Sequence, residues 1–296
     1  MKVSVIVPVY NGQETILQCV TSALANVYSD FEVIVINDGS TDKTGAILAG
    51  INDPRLVVIS ADTNNGPSQS RNIGMKRSTG ELIILLDSDT YVDTDWISRH
   101  VSAHNTLGSD IIGGSIVGVS RTMFGACDGF CNWWTSIPGS RDRKITRFHI
   151  PSNNISFKKS IFKGVGFFEE TMLTGEDIDF CFRARTAGLS MYMKSDIRAY
   201  HHDKDTYRGY ISHQKKWGPQ AVHVRKKLGM DCGFLMPSSS GVSVWYIIPL
   251  SVAMTAFILA KWIRYRPDVI LYAPIIFMGK FYHAKSIHDT LYAAKT

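Results

Sequence analysis

Cysteine is scarce in this 296-residue chain: Cys19, Cys127, Cys131, Cys181 and Cys232 are the whole supply. An odd, scattered set builds no disulfide framework and points to a reducing compartment. Cys127 and Cys131 stand four apart with no second Cys/His pair at ligand spacing, so they read as apolar positions and not as a zinc site. Charge of one sign is scarce too. A formal net charge of +6 suits an anionic nucleotide, an anionic membrane or nucleic acid without choosing among them. The chain has no internal repeat and no low-complexity stretch. Val3–Val7 is too short for a signal-peptide core and meets Pro8 at once. What is present, 45% hydrophobic and 20% charged residues, is ordinary for a globular protein. The length allows a domain of roughly 200–230 residues with an appendage.

The first part of the chain alternates strand and helix. Val3–Val7 is a β-branched run, and residues 12–26 place Ile16, Leu17, Val20, Ala23 and Leu24 at the spacings of one helical face. A strand at 31–36, a helix over 41–51 capped by Ser40 or Thr41, a strand at 56–60, a helix at 66–77 and a strand at 82–86 follow. Continuous apolar strands joined by helices predict a mostly parallel α/β sheet covered on both faces. Ligands of such sheets bind beyond the carboxyl ends of the strands. Further on, strand character recurs at 111–119, 190–193 and 197–200, and a helix is expected over 176–187.

Composition changes after residue 205. Residues 206–236 form a basic segment with aromatics, among them Tyr207, Tyr210, Lys215, Lys216, Trp217, Arg225, Lys226 and Lys227. Residues 237–296 hold two apolar runs, 242–260 and 269–278, separated by Lys261, Arg264 and Arg266. The first run can just span a bilayer and the second is too short. A single crossing would put the cationic loop outside, against the positive-inside tendency. Two helices lying in the interface keep both loop and domain at the cytosolic face. A buried hairpin of a soluble protein is the alternative.

Several short motifs stand where the strands end. Asp87-Ser88-Asp89 closes the 82–86 strand, and in extended geometry its two carboxylates point the same way, toward one Mg²⁺ or Mn²⁺. The same residues also make an ordinary polar turn. Asn37-Asp38-Gly39-Ser40 closes the second strand, where Asp38 can accept hydrogen bonds from a base or ribose or simply hold a turn. Arg71 on the 66–77 helix can pair with phosphate or stay solvated. In Thr174-Gly175-Glu176-Asp177-Ile178-Asp179, Thr174 can cap a helix with Asp177 at its third position, and acids in a first turn complement the helix dipole. The same acids can serve as a general base, provided that burial opposes the dipole's lowering of their pKa.

Taken together and in order, Val5-Ile6-Val7-Pro8-Val9-Tyr10-Asn11-Gly12, Val35 to Asp42, Asn64-Asn65-Gly66-Pro67-Ser68 with Arg71-Asn72-Ile73-Gly74, Leu86-Asp87-Ser88-Asp89 and Gly175-Glu176-Asp177-Ile178-Asp179 resemble the family 2 inverting glycosyltransferases. The likeness covers roughly residues 2–205. It implies a GT-A fold over 1–205, a Rossmann-like nucleotide-binding parallel sheet with an acceptor-binding half, followed by C-terminal hydrophobic helices. By that likeness Pro8, Tyr10 and Asp38 line the base and ribose with Arg71 nearby, Asp87 with Ser88 contacts the nucleoside, and Asp89 holds a divalent Mn²⁺ or Mg²⁺ on the diphosphate. Asp177 is the implied general base, with Glu176 positioning it or the acceptor. Of the adjacent His201 and His202, His202 is taken as the residue touching the metal or diphosphate. The implied partners are a nucleotide-sugar donor, UDP-linked ahead of GDP-linked, a lipid-linked acceptor and a membrane surface, with no nucleic acid. Processive members carry Gln-x-x-Arg-Trp. Here Gln214-Lys215-Lys216-Trp217 is one residue short and lacks the arginine, which favours transfer of a single sugar. A nucleotidyltransferase would show a Gly-rich phosphate loop where this chain has Pro8-Val9-Tyr10-Asn11. The competing class is a non-catalytic nucleotide-sugar or lipid-binding protein.

Overall fold

The computed structural model describes residues 1–172, 174–229 and 244–293. Cys232, the expected boundary at 236/237 and the first residues of the 242–260 run lie outside the described residues, as does the side chain of Arg225. The chain forms two compact units, one of residues 1–117 with 138–201 and one of 118–137 with 202–296. Residues 118–137, which the sequence groups with the nucleotide-binding fold, thus belong to the C-terminal unit.

The first unit opens with β1 (Val3–Val9), α1 (Ile16–Leu24), β2 (Phe31–Asp38), α2 (Thr44–Ala49), β3 (Leu56–Ala61), α3 (Pro67–Arg77) and β4 (Leu82–Leu86). Then follow β5 (Thr90–Val92), α4 (Trp96–Leu107), β6 (Ile111–Val119), α5 (Met123–Asn132), β7 (Arg143–Lys144), β8 (Asn154–Lys158), α6 (Phe162–Val165), α7 (Glu176–Thr186) and β9 (Met191–His202). The sheet runs β3-β2-β1-β4-β8-β6-β9-β5, with β7 on β9. β3, β2, β1 and β4 are parallel, whereas β8 joins β4 antiparallel on a ladder that ends at the pair Leu86–Asn154.

The sheet is therefore mixed and not mostly parallel. The antiparallel half escapes a hydropathy reading because β8 carries Asn154 and Ser156 fully inside. Both are affordable there because they are satisfied. Asn154 accepts from Trp96 Nε1 at 3.0 Å and donates to the carbonyls of Ser115 and Ile197, and Ser156 Oγ meets His100 and His104 at 2.8 Å.

One face of the sheet is covered by α1 and α4, through Ile16, Val20, Trp96 and Ile97. The other is covered by α3 and α7, through Met75, Phe180, Cys181 and Ala184. Gly74 sets how close α3 lies. A Cβ there would stand 2.5 Å from Ile6 and 2.8 Å from Ile36, so a side chain would lift the helix off the strands.

The second unit comprises α5 with α8 (Tyr207–Leu228), α9 (Ile247–Trp262) and α10 (Ala273–Ala293). Its core joins Phe130, Tyr210, Ile258, Trp262 and Ile276. Trp262 Nε1 donates to the Phe130 carbonyl at 2.9 Å, which fixes the end of α9. The stretch Val244–Trp262 is long and apolar enough to cross a membrane by length and composition. It buries Ile247, Leu250, Ser251, Thr255, Ile258 and Trp262, while Ile248 and Val252 are exposed.

Candidate functional site

The loops after β1 and β2 are locked to each other. Asp38 Oδ1 accepts from the backbone N–H of Asn65 at 3.0 Å, and its Oδ2 accepts from that of Gly66 at 2.8 Å. Gly39 follows at φ +68°, where a Cβ would come within 2.5 Å of the Thr63 backbone, so glycine alone lets this end of β2 meet the 63–66 loop. Asn11 Oδ1 accepts from Thr41 N–H at 2.8 Å, and Asn11 N–H donates to Ser40 Oγ at 2.9 Å. Neither Ser40 nor Thr41 caps α2, although the sequence predicts that one of them does. Asp42 Oδ1 instead accepts from Thr44 N–H at 2.9 Å. Pro8 is buried within β1, and Tyr10 just beyond it is 48% exposed.

Arg71 ties two motifs together. Its guanidinium is 4% exposed and donates to Asp87 Oδ1 and Glu176 Oε1, each at 2.6 Å. The two carboxylates outweigh the burial that opposes its charge and hold its pKa above the ordinary arginine value. Asp87 and Asp89 do not follow each other in the extended geometry that the sequence predicts. Residues 88–89 form a turn in which Thr90 N–H donates to the Asp87 carbonyl at 3.0 Å. Asp87 goes to Arg71, and Asp89 Oδ1 stands 3.4 Å from His201 Nε2. His201, the neighbour of His202 at the end of β9, thus stands beside Asp89.

Asp89 and His201 offer one oxygen and one nitrogen donor, and no cluster of three His, Cys, Asp or Glu side chains occurs among the described residues. That set fits Mg²⁺ or Mn²⁺, which take few protein ligands and complete their shell with waters and substrate phosphates.

Glu176 and Asp177 begin α7, but not through a capping box. Gly175 at φ +78° occupies the cap position and no side chain caps the helix, which leaves Thr174 out of the expected role. Asp177 is buried, its Oδ1 accepts from Ile178 N–H at 2.8 Å, and His149 Nε2 lies 3.8 Å from its Oδ2. Burial pushes its carboxyl up to about 6, against the pull of Arg71 and of the backbone amides of Ile178 and Ser152. Burial also raises Glu176 and lowers His149 to about 4. Glu176 Oε1 accepts from Ser152 Oγ at 3.2 Å as well as from Arg71. The site therefore runs Asp87–Arg71–Glu176–Asp177 through direct contacts and one peptide link. Ser152 and His149 have no part in the motif reading. The only trace of them in the sequence is a polar triplet, Ser152-Asn153-Asn154, placed directly before an apolar strand.

The chain is similar to known proteins in sequence and in fold. The description "Glycosyl transferase family 2" fits residues 4–163, more than half of the chain. The chain belongs to glycosyl transferase family 2. Among curated members, glycosyltransferase AglE of Haloferax volcanii is 28% identical over 207 residues, which are 67% of this chain and 66% of AglE. WfaP of Escherichia coli, named as a UDP-Glc:α-D-GlcNAc-diphosphoundecaprenol β-1,3-glucosyltransferase, is 38% identical over 33% of this chain and 39% of its own. The alignments thus leave a third or more of these relatives unmatched. Two solved structures share the GT-A fold. Mannosyltransferase PcManGT from Pyrobaculum calidifontis, in complex with GDP-Man and Mn²⁺, has a TM-score of 0.64 at 17% identity and covers 99% of this chain and 87% of its own. S. aureus TarS 1–349 with UDP-GlcNAc has a TM-score of 0.57 at 19% identity, with 100% and 92% covered.

Proposed function

We propose that this family 2 member transfers a single sugar, with inversion, from a nucleotide-sugar donor to a membrane-borne, lipid-linked acceptor, with Asp177 as the base. The observation that carries the reading is the buried Asp177, raised to about 6 and linked through Glu176 and Arg71 to Asp87 at the strand ends. A base of that pKa is ionised at neutral pH yet basic enough to take a proton in the transition state.

Pro8, Tyr10 and Asp38 line the nucleoside end, with Asp87, Ser88 and Arg71 next to them. UDP-sugars rank ahead of GDP-sugars, supported by the UDP-linked donors in the names of WfaP and the TarS complex. Asp89 and His201 would hold the divalent cation, Mn²⁺ or Mg²⁺, which supplies positive charge against that building on the departing diphosphate. Glu176, fixed by Arg71 and Ser152, positions Asp177. Asp177 removes the proton of the acceptor hydroxyl as its oxygen attacks the anomeric carbon from the side opposite the diphosphate. A lipid phosphate acceptor is already an anion and would need no base.

The acceptor and location rest on α9 and on the named substrate of WfaP. One face of α9 is packed and the other is apolar and exposed, as expected of a helix lying in the interface. The exposed Lys215, Lys216, Lys226 and Lys227 of α8 suit anionic head groups at the cytosolic face.

The test is release of nucleoside diphosphate from a panel of UDP- and GDP-sugars, with Mn²⁺ or Mg²⁺ and a membrane lipid extract. Metal-dependent release from one donor, lost in Asp89→Ala and Asp177→Ala, is the expected result. Binding of donor without release under any condition would instead make the chain a nucleotide-sugar-binding protein.

A further inference from the structure

Two neighbouring asparagines at the start of β8 are equally buried and differ in every other respect. Asn154, fully inside, uses its carboxamide completely, accepting from Trp96 Nε1 and donating to the Ser115 and Ile197 carbonyls. Asn153 is 2% exposed, and neither its Oδ1 nor its Nδ2 has a hydrogen-bond partner. Buried amide groups are nearly always paired, by protein, ordered water or a ligand. A carboxamide with both ends unpaired brings two donor hydrogens and an acceptor to one spot.

That spot lies within the reacting part of the site. Ser152, one residue before, gives its hydroxyl to Glu176 at 3.2 Å and its backbone N–H to Asp177. The antiparallel β4–β8 ladder ends at Leu86–Asn154, so Asp87 and Asn153 are the first residues beyond it on the two strands, at the same end of the sheet. Asn153 thus stands opposite Asp87 in ladder order, next in the chain to the residue that holds Glu176 and Asp177, and three strands across the sheet from β2 and Asp38. A neutral group that both donates and accepts matches a sugar hydroxyl better than a phosphate, which only accepts at neutral pH.

We propose that Asn153 is a specificity-determining residue whose carboxamide hydrogen-bonds a hydroxyl of the donor's sugar. The inference rests on the glycosyl-transfer reading above. A site built to pair a hydroxyl discriminates strongly against a sugar lacking it, because the site's own polar atoms are then left unpaired.

The test uses the full chain with Mn²⁺, Asn153→Ala and the nearly isosteric Asn153→Asp. Three quantities are measured: binding of the free nucleoside diphosphate, kcat/KM for the donor the native protein uses, and the thermal midpoint without ligand. Both variants should bind UDP (or GDP) within about twofold of the native protein, and kcat/KM for the sugar donor should fall about 10–100-fold. The donor's epimers and deoxy analogues, poorly used by the native protein, should lose far less in Asn153→Ala. The midpoint should not fall, because the Asn153 carboxamide has no hydrogen-bond partner among the described residues. Unchanged kcat/KM, an equal loss of nucleotide and sugar-nucleotide binding, or a midpoint lowered by several degrees would each overturn the assignment and leave glycosyl transfer standing. Failure of the native protein to bind any nucleotide or nucleotide-sugar would overturn both.

Discussion

Helix α7 hides Glu176, Asp177 and Asp179 in its first turn, whereas α9 leaves Ile248 and Val252 in the open. Each departs from the usual sorting of charge outward and aliphatic surface inward, and they depart in opposite senses. The buried acids of α7 are tolerated because partners reach them: Arg71 and Ser152 at Glu176, the Ile178 amide at Asp177 and Arg183 at Asp179. What burial leaves over at Asp177 is a raised pKa, which is useful chemistry. The exposed side chains of α9 have no such compensation among the described residues. A departure compensated internally marks a reaction site, and one left uncompensated marks a surface meant for something else.

The largest effect expected is at the compensated helix. Asp177→Asn keeps shape and removes the base, so turnover should fall about 10²–10⁴-fold with donor binding retained. Burst and steady-state measurements of nucleotide release will separate the two. Turnover within a few-fold of native would mean an acceptor that is already anionic. Asp89→Asn, or chelation of the divalent cation, should cost about 10²–10³-fold, the scale of a lost electrostatic contact in a transition state. A chelator-insensitive reaction would deny Asp89 and His201 their assigned role.

The internal compensation can be broken directly. Arg71→Ala strands Glu176 and Asp87 without their counter-charge and should destabilise the protein by about 3–5 kcal/mol at neutral pH. The loss should shrink as pH falls and the carboxyls protonate, which urea titrations at two pH values would reveal.

The pH dependence of Asp177 itself works on activity and stability in opposite directions. With a folded-state pKa near 6, above its unfolded value, the group contributes stability that is full below about pH 3.9 and is lost as pH rises through 6. Catalysis needs the ionised form, so the rate should drop about tenfold per pH unit below 6. In Asp177→Asn this acid limb should vanish from whatever residual rate remains.

The fold's first half was legible because hydropathy and turn chemistry agreed. β1, β2 and β4 are largely apolar runs, and α1 buries most of the periodic residues that its sequence displays. In the second half β6 and α7 stand where the sequence puts them, but β8 was not legible, because it pairs buried polar residues with Trp96, His100 and His104, contacts that no local pattern encodes. The site divides along the same line. Asp87, Asp89, Glu176 and Asp177 stand in recognisable strings, while their mutual placement does not. That Arg71 bridges two motifs, that 88–89 turns, and that His201 stands beside Asp89 all depend on three-dimensional neighbours.

The smallest effect expected concerns α9, and it tests the other side of the comparison. If the exposed face of α9 is apolar because lipid covers it, Ile248→Glu with Val252→Glu should weaken binding to phosphatidylglycerol-containing vesicles about tenfold, the loss of roughly one buried aliphatic side chain's transfer energy. Folding stability should stay within about 0.5 kcal/mol, since both positions are outside the core. Leu250→Glu, on the packed face of the same helix, should instead unfold the second unit. Replacing Lys215, Lys216, Lys226 and Lys227 by Gln should weaken only the salt-sensitive part of the binding. Vesicle sedimentation unchanged by the two glutamates would place α9 among the helices of an ordinary soluble protein. The opposition between α7 and α9 would then reduce to chance exposure at one of them.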